Sequence, residues 1–190
     1  MKTQRDTQRS KVYAWERELR GSYQTSPKVS QPSATKLVRQ MYGWHRTASI
    51  SKDWGAPSVT FNARGSHSWA SYYGKEIKLL TVGEFGHPTA GGDVYLWCIA
   101  HEVAHCLTPP NKECNKTGGA HGKLFMRHLI ELLIRFKVVD MSLSELEASA
   151  KAAGVKVSPR THSLRAKKGV ISSYERRIRE ALEYELVVEW

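Results

Sequence analysis

The stretch His101-Glu102-Val103-Ala104-His105 carries two imidazoles and a carboxylate at a spacing that suits metal chemistry. Residues four apart on a helix lie on the same face, so His101 and His105 can reach one ion. Glu102 is turned by about 100° from His101 and need not be a ligand. It can instead face a water on the ion and accept its proton, and zinc makes that water a nucleophile near neutral pH. The pattern predicts a zinc-dependent hydrolytic site.

The alternative for these residues is a buried amphipathic helix whose polar groups are satisfied by neighbouring side chains. The carboxylate at position 102 would then need partners, because burying it unpaired is costly. The motif favours the metal site over this alternative.

A catalytic zinc site needs a third protein ligand and one open position. The metzincin extension is excluded, because Thr108 and Asn111 stand where that class has glycine and histidine. His121 lies sixteen residues after His105, behind two glycines, and is the first candidate. The rival third ligands are Glu113, Cys114 and Cys106. His128, about 10 Å further along the same helical face, is expected to be a packing or surface residue.

Two predicted helices must position these ligands. Apolar residues at helical spacing predict one over residues 94–107, with Asp93 as its N-cap and Pro109-Pro110 as its end. The other runs from about residue 121 to 136. Its inward residues are expected to be Phe125, Leu129, Leu132, Leu133 and Phe136.

Further elements surround this pair. Asp6 is expected to cap a first helix that ends at Gly21, and a short second helix follows around residues 37–44. "SVTF" reads as a strand, and "WASYY" and "EIKLL" flank a predicted turn at Gly74-Lys75. Because this is the one convincing β region, the predicted fold class is α+β with a small sheet.

The 190-residue chain has a formal net charge of +11, concentrated at its two ends. Residues 1–52 hold eleven Lys and Arg against three Asp and Glu, and residues 151–179 hold nine against one. Such flanks suggest a polyanion partner such as nucleic acid, or else a solubilising surface. We expect a catalytic domain over residues 1–140 and a basic helical C-terminal extension over residues 141–190. The extension should hold a helix capped by Ser142 or Ser144 and a final helix over residues 172–186.

The compartment is also constrained by composition. The three cysteines form no Cys-x-x-Cys pair and no disulfide framework, which fits a reducing compartment. The N-terminus lacks an apolar stretch typical of a secretory signal, and no run approaches a membrane span. We expect a cytoplasmic protein without membrane contact.

The segments "HEVAHCL" and "GGAHGKLF" resemble the His-Glu-x-x-His…His-Gly-x-x-Phe arrangement of SprT/Spartan-like zinc metallopeptidases, which are small gluzincin-type zincins. "RDTQRSKVYAWE" is similar to the opening of a family of zincin-core metallohydrolases from actinobacteria and their phages. The resemblance covers residues 5–136. It implies a minimal zincin-like α+β domain, with His101, His105 and His121 as Zn²⁺ ligands and Glu102 as the catalytic acid/base. Spartan-like proteins act on DNA-bound proteins, and a phage-encoded member would work in the host cytoplasm.

The expected activity is hydrolysis of a peptide bond, with a protein or peptide substrate and Zn²⁺ as cofactor. An extended peptide could add as a strand beside the "EIKLL" edge. Two alternatives remain open at this point. One is a metal-dependent hydrolase of a non-peptide bond, and the other is a nucleic-acid-binding protein in which zinc is mainly structural.

Overall fold

The computed structural model describes residue 6 and residues 8–21, 27–45, 56–64, 67–71, 75–108 and 120–159. The chain divides into two compact units, Met1–Pro159 and Arg160–Trp190, and every described residue belongs to the first. The expected final helix over residues 172–186 lies outside the described residues, as do Glu113, Cys114 and Gly74.

Within the described residues the fold is mixed α+β. The helices are α1 (Arg9–Arg20), α2 (Gln31–His45), α3 (Leu96–Cys106), α4 (Lys123–Arg135) and α5 (Leu143–Ala152). The strands are β1 (Lys28–Val29), β2 (Ser58–Asn62), β3 (Trp69–Ala70), β4 (Glu76–Leu80) and β5 (Val94–Tyr95). The predicted fold class is confirmed at this level. None of the described helices is long and apolar enough to cross a membrane.

The larger sheet has the order β2-β4-β3. β2 runs parallel to β4 along its whole length, and β3 pairs antiparallel with the middle of β4. β4 alternates between half-buried and buried side chains, with Ile77 and Leu79 fully buried. The expectation that "EIKLL" forms an edge was therefore wrong. The pairing of β4 with β3 is a local hairpin. Its pairing with β2 joins residues that are 18 positions apart in the sequence, and no local sequence pattern predicts such a pairing.

The second sheet consists of β1 and β5, paired antiparallel. Because Val94 and Tyr95 belong to this sheet, α3 begins at Leu96, later than predicted. Asp93 is not its N-cap, since the cap position is Tyr95, without a side-chain hydrogen bond. The Asp93 backbone instead exchanges two hydrogen bonds with Val82, of 2.8 and 2.9 Å.

The ends of the remaining helices show two further differences. α2 begins at Gln31, about six residues before the predicted start near residue 37. α1 begins with Gln8 at the N-cap, so the predicted capping role of Asp6 was wrong. Gly21 does end α1, at a φ of 62° that favours glycine. Ser142 caps α5 in a full capping box with Glu145, as one of the two predicted options.

The core surrounds α3, which packs against α2, α4, β3 and β4. Nine of its eleven residues are buried, so this helix is held on nearly every side. All five residues predicted to face inward from α4 are buried, namely Phe125, Leu129, Leu132, Leu133 and Phe136. α3 and α4 thus form the rigid pair that carries the histidines.

Residues 141–159, which the sequence assigns to the extension, pack on this core. α5 contacts α4 and buries Leu146. The buried Arg127 donates to the Ser158 carbonyl at 2.7 Å and to the Glu147 carboxylate at 2.6 Å. The segment therefore adds to the support behind α4.

Candidate metal centre

Three histidines converge between α3 and the start of α4. One ring nitrogen from each of His101, His105 and His121 lies within 4.8 Å of the others. The Nε2 atoms of His101 and His105 are 3.1 Å apart, as expected for residues one turn apart on one face. The centroid of the His121 ring lies 4.6 Å from that of His105 and 5.5 Å from that of His101.

His101 is held from behind by α1. Its Nδ1 donates to the Glu16 carboxylate at 2.6 Å, and Trp97 Nε1 donates to the same oxygen at 3.0 Å. Burial favours the neutral form of both groups. The opposite charge facing each of them outweighs burial, so the pKa of Glu16 is lowered and that of His101 is raised. With its proton on Nδ1, His101 presents Nε2 towards the other two rings.

His121 stands just before α4, whose N-cap is Gly122. Its Nδ1 donates to Asp6 Oδ2 at 2.6 Å, and its carbonyl accepts from Gln8 Nε2 at 2.8 Å. Its Nε2 is buried and has no hydrogen-bond partner among the described residues. A buried polar atom without a partner is uncommon, and it commonly marks the place of an ion or water.

His105 is the third member of the cluster. Burial lowers the pKa of its ring well below the ordinary value, and His101, His121 and Arg9 lower it further. His105 is therefore neutral at physiological pH. A neutral imidazole is the form that binds a metal.

The residues present fit a divalent ion with a preference for imidazole. Tetrahedral zinc with Zn–N distances near 2.0–2.1 Å places pairs of ligand nitrogens about 3.3 Å apart. The 3.1 Å between the two Nε2 atoms on α3 agrees with that spacing. The partnerless Nε2 of His121 has the lone pair that an ion would take. Three histidines leave a fourth tetrahedral position open, as in catalytic zinc sites.

Glu102 lies on α3 between His101 and His105 and is itself buried. Burial raises the pKa of its carboxyl to about 7, with His101 opposing and Glu16 adding to the shift. Among the described residues, no side chain or backbone group donates a hydrogen bond to this carboxylate. A carboxyl with a pKa near neutrality can both accept and return a proton.

Aromatic rings enclose the cluster. Phe125 packs against all three histidine rings, with centroid distances of 5.1, 4.4 and 5.0 Å to His101, His105 and His121. Tyr13 of α1 stacks on His101 at 5.9 Å and meets His121 edge-on at 5.0 Å. These contacts restrict the rotation of the rings and exclude water from their sides.

The structure thus brings together His101, His105 and His121, with Glu102 on the same helix. Of the rival ligands, Cys106 is buried but lies outside the cluster, and Glu113 and Cys114 lie outside the described residues. His128 is half-buried and is not part of the cluster.

The sequence interpretation missed the contacts of Asp6 and Glu16. Glu16 lies in the apolar stripe of α1 next to Trp15, and both are buried. A charged residue in such a stripe is a signal that could have been noticed, because carboxylates are almost never fully buried without a partner. No comparable signal marks Asp6, whose partner lies 115 residues away.

Comparisons with family models, with curated proteins and with solved structures give no match for this chain.

Proposed function

We propose that this protein is a zinc-dependent metallopeptidase in which His101, His105 and His121 bind the ion and Glu102 is the general base. The observation that carries the proposal is the convergence of three histidine nitrogens within 4.8 Å, with a buried carboxyl on the same helix. The ion is proposed to be zinc because three imidazoles and an open fourth position suit zinc hydrolases.

When bound, zinc would supply a Lewis acid for the scissile carbonyl and an acidic water as the nucleophile. The chain's own contribution is proton transfer by Glu102, first from the attacking water and then to the leaving amine. Its position on α3, next to His101 and one turn from His105, supports this role, because it would lie beside the ion without being a ligand. The buried surroundings strengthen each electrostatic interaction in the site.

The substrate is proposed to be an extended peptide that lies along β3. β3 and β4 both pack against α3, and β4 is occupied on both sides, by β2 and β3. Among the described strands, β3 pairs with β4 alone. Trp69 of β3 is 38% exposed, and a strand added there would contact it. Main-chain hydrogen bonds would then hold the peptide in an extended form.

The proposed fold type is a small zincin of the SprT kind. The order of a small sheet, the helix with both histidines, and then a helix preceded by the third histidine supports this proposal. The zincin type also accounts for Phe125, the last residue of the "HGKLF" segment, which packs on all three rings.

The test is a comparison of Glu102→Gln with the wild-type protein, with Glu18→Gln as the matched control on an exposed position of α1. Glu102→Gln should keep its zinc and lose cleavage of casein, or of a protein bound to DNA, by about 10²–10⁴-fold. Glu18→Gln should cleave at the wild-type rate. A zinc chelator should stop cleavage by the wild-type protein and by Glu18→Gln. Cleavage by Glu102→Gln at the wild-type rate would refute the proposed mechanism.

A second outcome would redirect the functional assignment. If the zinc-loaded protein cleaves no protein substrate but binds DNA with an affinity that falls steeply with salt, the zinc is structural. Metal-dependent hydrolysis of a non-peptide ester alone would keep the centre and change its substrate.

A further inference from the structure

One short segment of the chain supplies carboxylates to two of the three histidines. Glu16 lies within α1 and Asp6 lies just before it. Each accepts a hydrogen bond of 2.6 Å from the Nδ1 of a different ring, Glu16 from His101 and Asp6 from His121.

The chemistry of these contacts is specific. A histidine that binds metal through Nε2 carries its remaining proton on Nδ1, and an acceptor there fixes both the tautomer and the ring rotation. A carboxylate acceptor also makes the Nε2 lone pair more basic. In this structure both Nδ1 atoms are taken. The Nε2 of His101 lies 3.1 Å from that of His105, and the Nε2 of His121 is buried with no hydrogen-bond partner among the described residues.

The position of Glu16 argues against an incidental contact. Its residue is only 1% exposed, and it also accepts the Trp97 indole proton. Burying a carboxylate costs free energy, and an apolar residue of similar size would pack α1 on the core at lower cost. Gln8 reinforces the arrangement, because it ties the start of α1 to the His121 carbonyl and to Lys156.

We infer that Asp6 and Glu16 are positioning residues that orient His121 and His101 for the ion, so that α1 sets the metal affinity of the centre. This inference rests on the proposed metal centre and is independent of the substrate. It predicts that metal affinity depends on α1, whose Glu16 lies 85 residues before His101, although α1 provides no ligand itself.

The experiment measures Zn²⁺ affinity of the full chain by competition with a chromophoric chelator. Asp6→Asn and Glu16→Gln keep the size of each side chain and remove its charge. Their matched controls are Asp93→Asn and Glu18→Gln, both at exposed positions away from the histidines. Each of the first two variants should bind Zn²⁺ about 10–100-fold more weakly than the wild type, and the controls should bind as the wild type does.

A second measurement separates positioning from mere support of the fold. The rise in Tm on adding Zn²⁺ is measured for each variant and compared with that of the wild type. If Asp6 and Glu16 only supported the fold, their substitution would lower Tm equally with and without the metal. The inference requires a smaller Zn²⁺-induced rise for Asp6→Asn and Glu16→Gln. Wild-type affinity in both variants, or an unchanged rise in Tm, would overturn it. Either result would leave open whether the protein cleaves peptides, which Glu102→Gln tests.

Discussion

At the scale of single residues, His121 decides whether the centre can hold an ion. His101 and His105 provide two nitrogens from one helix, and two ligands leave a catalytic zinc site incomplete. His121 provides the third nitrogen, and its Nε2 is the buried atom without a partner among the described residues. The affinity of the site should therefore depend strongly on this side chain.

We predict that His121→Ala reduces the metal content from about one zinc per chain to nearly none, as expected for loss of one of three ligands. His128→Ala is the matched control, because His128 lies on α4 but outside the cluster. Elemental analysis of both purified variants measures the effect. Unchanged zinc in His121→Ala would exclude His121 as a ligand and return attention to Glu113 and Cys114.

The cluster of three histidines could be predicted from the sequence because its signal is local. The spacing of His101 and His105 needs only helical geometry, and the two glycines before His121 mark a turn into the next helix. The carboxylates that accept from these histidines had no local signal. Glu16 and Asp6 lie 85 and 115 residues from the rings that they contact. Only the tertiary fold of α1 brings them there.

At the scale of elements, the segment that leads through β5 into α3 includes a close backbone contact just before β5. A Cβ at Gly92 would lie 2.4 Å from the Val82 carbonyl oxygen, next to the paired backbone groups of Val82 and Asp93. Gly43 lies within α2, where a Cβ would meet nothing within 4 Å. The two glycines therefore provide opposite tests of local packing.

We predict that Gly92→Ala destabilises the protein by about 1–3 kcal/mol, because the backbone must shift to admit the methyl group. Gly43→Ala should stabilise it by about 0.4–1 kcal/mol, because alanine restricts the unfolded chain and favours the helix. Urea unfolding of both variants gives the free energies. A Gly92→Ala variant as stable as the wild type would show that this turn is not tightly packed.

The helices were easier to predict than their boundaries and the strand order. Apolar periodicity identified the buried face of α4, including Phe125 and Leu129. It could not show that Val94 and Tyr95 pair with β1, because a two-residue strand has no period of its own. Nor does anything near β4 reveal that β2 joins it from the other side, because this pairing links residues 18 positions apart in the sequence.

At the scale of the whole molecule, the candidate metal centre joins three separate parts of the sequence. Two of the rings belong to α3 and the third is that of His121. Their carboxylate partners are Glu16 of α1 and Asp6, which precedes this helix. An ion held by these rings binds the folded chain and has no preformed site in the unfolded one. Binding should therefore stabilise the entire unit by mass action.

We predict that removing the metal with a chelator lowers Tm and that adding Zn²⁺ restores it. At free Zn²⁺ one hundredfold above Kd, the gain should be about 2.7 kcal/mol. Thermal unfolding followed by circular dichroism, at several free Zn²⁺ concentrations, measures the dependence. His121→Ala is the control, because without its third ligand its Tm should not respond over the same range. A wild-type Tm independent of Zn²⁺ would mean that the ion does not bind the folded chain at these rings, since linkage requires a shift wherever binding is specific to that state.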